Sequence, residues 1–141
     1  HFISLPNQDS FQEHVREFYW CAGNVVKGLA RQNLVYANEQ FNRYVRPELL
    51  TLLEMRATMQ QNGRFDAGVT GKFIEPTLSA VEKTQLAATY QQTSLPETKA
   101  SLRKVLQLYR GVSEQISGNY NFDLPETITK VYQQFNMWLG A

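Results

Sequence analysis

Apolar residues recur at steps of three and four along most of the chain. Leu102, Val105, Leu106, Tyr109, Val112 and Ile116 form one such series, and Ile128, Val131, Tyr132, Phe135 and Leu139 form another. Side chains so spaced share one side of a helix, so both segments read as amphipathic core helices. No stretch alternates with period two for long enough to read as a strand. The pattern predicts an all-α fold, a bundle of five or six helices.

Three helix starts carry the Ser-x-x-Glu capping signal, in which hydroxyl and carboxylate satisfy free backbone amides: Ser10 with Glu13, Ser79 with Glu82 and Ser94 with Glu97. The expected helices run from about Phe11 to Gln32, Leu34 to Tyr44, Pro47 to Gln61, Ala80 to Gln91, Pro96 to Ser117 and Pro125 to Leu139. Pro47 belongs in a first turn or at a kink. The loop NGRFDAGVTGK and a short turn over Phe73 to Leu78 separate the third helix from the fourth. Leu-Pro-Glu-Thr occurs at Leu95 and again at Leu124, and proline followed by glutamate suits a first helical turn. The two copies are therefore shared helix grammar, not a structural repeat.

The first helix has two organised faces. Phe11, Val15, Phe18, Ala22, Val25, Val26 and Leu29 fall in one stripe toward the core. Trp20, Asn24, Lys27 and Arg31, at steps of four, three and four, line the opposite face, with Glu13 and Glu17 near the same side. A surface helix carries Lys and Arg outward for solubility alone. Trp20 is different, because a large aromatic facing away from the core calls for a cover: another domain, a partner or a ligand. Gly23 and Gly28 each cost about 1 kcal/mol relative to alanine inside a helix. They fit either close approach by a ligand or tight packing against a neighbouring helix.

Composition narrows the function class. A chain of 141 residues is about one domain, long enough to bury a core, and 43% hydrophobic with 19% charged residues is a globular balance, neither disordered tail nor membrane protein. Nucleic acid is not an expected partner, since 14 Lys and Arg are offset by 13 Asp and Glu and no block of like charge appears. There is no run of 18 apolar residues and no signal-peptide pattern in HFISLPNQDS, so the expected compartment is the cytosol, with no membrane contact. The single cysteine, Cys21, fits a reducing compartment and reads as a small packed side chain. His1 and His14 lack a second ligand at metal spacing, so no metal site is expected. Gly68, Gly71 and Lys72 do not make a phosphate loop: Phe73 stands where Ser or Thr is required, and no strand precedes.

The stretches EFYWCAGNVVKGLAR, RPELLTLLEMR and GKFIEPTLSAVEKTQLAATY together resemble the C-terminal helical domain of the aminoglycoside 6-adenylyltransferases, the streptomycin-modifying nucleotidyltransferases. The matching positions are Glu17, Phe18, Tyr19, Trp20, Lys27, Gly28, Leu29, Arg31, Arg46, Pro47, Leu49 and Leu50, and weaker similarity runs from about Phe11 to Tyr132. The family loop carries two lysines. Lys72 matches the second, while Val69 stands at the first, a departure that bears on any substrate role for the loop and on which aminoglycoside is accepted.

The resemblance implies a two-domain enzyme that transfers AMP from ATP to an aminoglycoside hydroxyl, using magnesium. Its catalytic aspartates lie in an N-terminal α/β nucleotidyltransferase domain, after a Gly-Ser signature. Residues 1 to 141 contain only Asp9, Asp66 and Asp123, unpaired, so this chain is expected to be the inactive second domain, and its start at His1 agrees with excision from a longer protein. The implied partners are that N-terminal domain and the aminoglycoside; ATP and magnesium belong to the parent enzyme, with none bound by this domain alone. Lys27 is the expected triphosphate contact, supported by Arg31, because nucleotidyl transfer develops negative charge on the phosphates. Glu17, Trp20 and Asn24 are the expected acceptor contacts, since a cationic, hydroxyl-rich antibiotic needs carboxylate, aromatic wall and amide. No catalytic residue is expected here beyond Glu17, which could orient or deprotonate the attacking hydroxyl. Two alternatives remain open: a stand-alone helical interaction module, and the same domain serving a different acceptor.

Overall fold

The protein was analysed as a computed structural model that describes residues 5–140. His1 lies outside them. All regular structure among the described residues is helical: α1 Gln8–Ala30, α2 Leu34–Gln40, α3 Arg46–Gln60, α4 Ala80–Ala88, α5 Leu95–Tyr120 and α6 Ile128–Gly140. A π-helical turn, Phe41–Val45, joins α2 to α3, and 3-10 turns at Val69–Gly71 and Glu75–Thr77 shape the long loop after α3.

The helix starts follow side-chain chemistry, with three corrections. At α4, Ser79 Oγ accepts from the Glu82 amide at 3.1 Å and the Glu82 carboxylate accepts from the Ser79 amide at 2.9 Å, a complete capping box. At α5, Ser94 accepts from the Glu97 amide, but the Glu97 carboxylate turns to the Thr93 amide and hydroxyl instead. The expected Ser10–Glu13 box does not form. Asn7 caps α1, accepting from the Ser10 amide at 2.9 Å, and Ser10 Oγ accepts from the Asn7 amide at 3.1 Å. An asparagine upstream, as good an N-cap as serine, took the position, so α1 starts at Gln8 rather than Phe11. At the other end of the chain, Pro125 precedes α6 instead of opening it; the Ile128 amide bonds back to the Pro125 carbonyl in a turn. Only the first Leu-Pro-Glu-Thr therefore begins a helix.

The two helices expected around Pro47 are one continuous rod. Backbone angles stay right-handed helical from α2 through the π turn into α3, and the Arg46 amide bonds the Phe41 carbonyl, five residues back. In regular winding Pro47 gives no amide proton to the Arg43 carbonyl and its ring crowds that oxygen; widening the preceding turn relieves both.

α1 is the centre of the bundle, touching α2, the π turn, α3, α5 and α6. Its stripe of Phe11, Val15, Phe18, Ala22 and Val25 is fully buried. Phe18 stacks on Tyr109 of α5 with ring centroids 3.6 Å apart and planes within 5°. Val26 is the exception in that stripe, being half-buried at its edge.

Candidate functional site

The outer face of α1 forms one wall of a groove whose other wall is α6. Arg16, Tyr19, Trp20, Gly23, Asn24, Val26 and Lys27 line it on α1, with Thr127, Ile128, Val131 and Phe135 opposite, around a volume of about 400 Å³. Trp20 is 69% exposed, a large apolar surface left open by the described residues. The Lys27 ammonium sits 5.9 Å from the Trp20 ring centroid, the outer limit of a cation–π contact. Lys27 also stands in the last turn of α1, where a cation is favoured by the carbonyl end of the helix dipole.

Of the five site residues expected from sequence, Trp20, Asn24 and Lys27 share this groove. Glu17 and Arg31 do not line it. Arg31 is the exposed C-cap residue of α1. Glu17 is exposed and accepts a hydrogen bond from the thiol of Cys21, one turn along the same helix, at 3.4 Å. Burial, the Glu17 contact and the charge of Glu48 push that thiol up to about 12.

The two glycines of α1 serve helix packing. A Cβ on Gly28 would lie 2.8 Å from Tyr36 Cδ1 and 3.2 Å from the Ala37 backbone, so Gly28 is what allows α2 to approach. A Cβ on Gly23 would lie 3.4 Å from Phe135, at the floor of the groove.

Four features escaped sequence reading because their partners lie far apart in the chain. The His14 Nδ1 and Glu48 Oε2 atoms meet at 2.9 Å, across α1 and α3. Arg56 on α3 bonds Glu82 on α4 and Gln115 on α5. Arg46, matched by resemblance but given no role, is buried and donates to Asn42, to Gln92 and to both the hydroxyl and carbonyl of Thr89. It also lies between the rings of Tyr90, at 3.9 Å, and Phe41, at 4.7 Å, and so pins the α4–α5 connection to the π turn. A second cavity of about 450 Å³ beside it includes Thr51, Glu54, Gly68 and Thr70. Burial and, secondarily, the charge of Asp66 raise the Glu54 carboxyl above its ordinary value.

The loop after α3 has no phosphate-loop geometry. Gly68, Thr70 and Gly71 all take positive φ in a tight 3-10 turn, Val69 is exposed, and Lys72 lies over the Phe73 ring. Among the described residues no three His, Cys, Asp or Glu side chains gather where a metal ion could be held, and no helix is long and apolar enough to cross a membrane.

Comparison with known proteins shows what the chain as a whole is similar to. An aminoglycoside 6-adenylyltransferase of Bacillus subtilis (strain 168) is 32% identical over 133 residues, covering 92% of this chain and 47% of the relative. The enzyme of that name from Staphylococcus aureus is 28% identical over 124 residues, 86% of this chain and 44% of its own. The crystal structure of an aminoglycoside 6-adenyltransferase from Bacillus subtilis superposes with a TM-score of 0.87 at 27% identity, covering all of this chain and 53% of that one. The chain thus spans about half the length of the relatives it matches. The streptomycin adenylyltransferase family profile matches residues 1–137, and the chain belongs to that family.

Proposed function

We propose that this chain is the C-terminal helical domain of an aminoglycoside 6-adenylyltransferase that moves AMP from ATP to a hydroxyl of a streptomycin-like antibiotic, and that it closes the active site with the outer face of α1. The observation that carries the proposal is the uncovered Trp20, sharing a groove with Asn24 and Lys27, in a chain half as long as its relatives. An upstream nucleotidyltransferase domain gives that face its cover.

Each groove residue has a physical task. Lys27 lies near the end of a rigid helix and offers a positive charge to the phosphates as negative charge grows on the departing pyrophosphate. Arg31, one turn further on and outside the groove, adds positive charge beyond it. Trp20 gives a flat wall to a cationic acceptor and Asn24 an amide for its hydroxyls. In this reading any metal is held by the other domain and this chain alone is inactive; among the described residues no three His, Cys, Asp or Glu side chains gather as a ligand set.

The test is Lys27→Ala in the two-domain protein, measuring AMP transfer from ATP to streptomycin. Loss of a fixed charge at the developing phosphate charge lowers kcat about 100-fold with the fold intact. Unchanged kinetics remove Lys27 from the site. A parent gene with no Gly-Ser and paired-aspartate domain upstream overturns the whole reading.

A further inference from the structure

Among the described residues three carboxylates are drawn back from solvent: Glu48, Glu54 and Glu82. Two of them have a partner, since Glu48 lies 2.9 Å from His14 Nδ1 and Glu82 is held by Arg56 at 2.7 Å. Glu54 differs. No hydrogen bond or ion pair among the described residues engages its carboxylate, and it lines the cavity of about 450 Å³ beside Arg46. A carboxylate that gives up hydration without a partner is costly to hold. Two things relieve that cost: the group keeps its proton, or a cation from outside the chain sits against it.

We propose that this cavity is a binding site for a small hydroxylated organic cation, with an ammonium or guanidinium group seated on Glu54, separate from the Trp20 groove. Such a site is independent of AMP transfer.

The lining matches that ligand in charge and shape. Pro47, Leu50 and the Tyr90 ring form apolar walls, while Thr51 and Thr70 place hydroxyls among them. Arg46 stands eight residues before Glu54, about 12 Å along α3, so it marks the other end of the cavity. Its nitrogens donate to Asn42, Thr89 and Gln92. The cavity is therefore polarised, and a cation belongs at the Glu54 end. Asp66 strengthens that polarity. Its charge follows burial as the second cause of the raised Glu54 carboxyl, and its Oδ1 accepts from the Gly68 amide at 2.8 Å, which fixes the loop where Gly68 lines the cavity. A bare metal ion is a poor match, because the space far exceeds one ion and no three His, Cys, Asp or Glu side chains gather among the described residues.

The experiment uses streptamine, a cyclitol with two ammonium groups, and as control myo-inositol, the same ring with hydroxyls in their place. Both are titrated into the two-domain protein without ATP, by calorimetry and by NMR. Streptamine is expected to bind with near-millimolar affinity and to shift the amides of Gly68, Thr70 and Gly71. It should also lower the titration midpoint of the Glu54 carboxyl, read from its carbon resonance in the wild type, since a seated cation favours the charged form. myo-Inositol should leave all of these unchanged. Glu54→Gln keeps the size, removes the charge and weakens streptamine at least about tenfold. Affinity should fall as pH drops through the raised Glu54 value, because a protonated carboxyl no longer attracts a cation; Asp66, Arg46 and Tyr90 are the other ionisable groups around it. Shifts confined to Trp20 and its neighbours, equal affinity for myo-inositol, or undiminished affinity in Glu54→Gln overturn the proposal. So does a Glu54 midpoint that stays raised at every streptamine concentration, the behaviour of a carboxyl that answers burial by keeping its proton. The midpoint is read in the wild type and does not depend on any variant's folding. Absence of AMP transfer, measured separately, overturns the adenylyl-transfer reading and leaves this site standing.

Discussion

Arg56 of α3 holds Glu82 of α4 with two nitrogens, Nη1 at 2.7 Å and Nη2 at 2.9 Å, while Glu82 also caps α4 through Ser79. Both side chains are largely buried, 9% and 16% exposed. One carboxylate therefore ties the start of a short helix to the bundle.

Breaking this pair costs far more than an exposed ion pair would. Arg56→Ala strands a buried carboxylate and lowers stability by roughly 3–5 kcal/mol, read as a lower urea midpoint. Hydrogen bonding to Arg56 holds the Glu82 carboxyl below the ordinary glutamate value, with burial opposing and Ser79 assisting. The stability it contributes is present above the unfolded-state value and is lost as pH falls through the lower folded-state value. Acid should thus narrow the gap between wild type and Glu82→Gln; a gap constant from pH 7 to pH 3 would remove the carboxylate from this role.

Gly28 and Gly23 make opposite predictions although they lie on one helix. Gly28→Ala drives a methyl into Tyr36 and the Ala37 backbone and destabilises by about 1–3 kcal/mol, the usual cost of overpacking. Gly23→Ala meets only the edge of Phe135, so better helix propensity offsets the contact and stability moves by less than about 1 kcal/mol. Thermal midpoints of the two variants check the contrast, and equal losses would refute the packing argument.

Trp20 separates stability from function. Being 69% exposed, it contributes little to the isolated fold, and Trp20→Ala should leave stability within about 0.5 kcal/mol. In the two-domain protein the same change should raise acceptor KM about tenfold, the equivalent of about 1.4 kcal/mol of lost contact. A large drop in the thermal midpoint would reassign Trp20 to the core.

Cys21 should be inert in the native protein. It is 4% exposed and its thiol is pushed up to about 12, so little thiolate is present at pH 8. Iodoacetamide should label it slowly in buffer and rapidly in urea. Fast native labelling would contradict both burial and the Glu17 contact.

Local chemistry made much of the fold legible. The stripe of α1 and the apolar series of α5 show the buried side because helical spacing needs no knowledge of neighbours. Ser79 was readable as a cap for the same reason. Where several local solutions compete, as with Asn7 and Ser10, or Pro125 and the turn before Ile128, packing and backbone geometry chose, and the expected boundaries moved.

The sequence by itself determined the all-α class, the two faces of α1 and the shared side of Trp20, Asn24 and Lys27, since all follow from one helical period. Only the tertiary structure decided what meets across elements. His14 finds Glu48, Arg46 finds Thr89 and Gln92, and Arg56 finds Glu82 through contacts between residues 34, 43, 46 and 26 positions apart. Such pairings depend on how helices dock, and docking is set by the summed burial of many side chains, to which no short stretch of sequence holds the key.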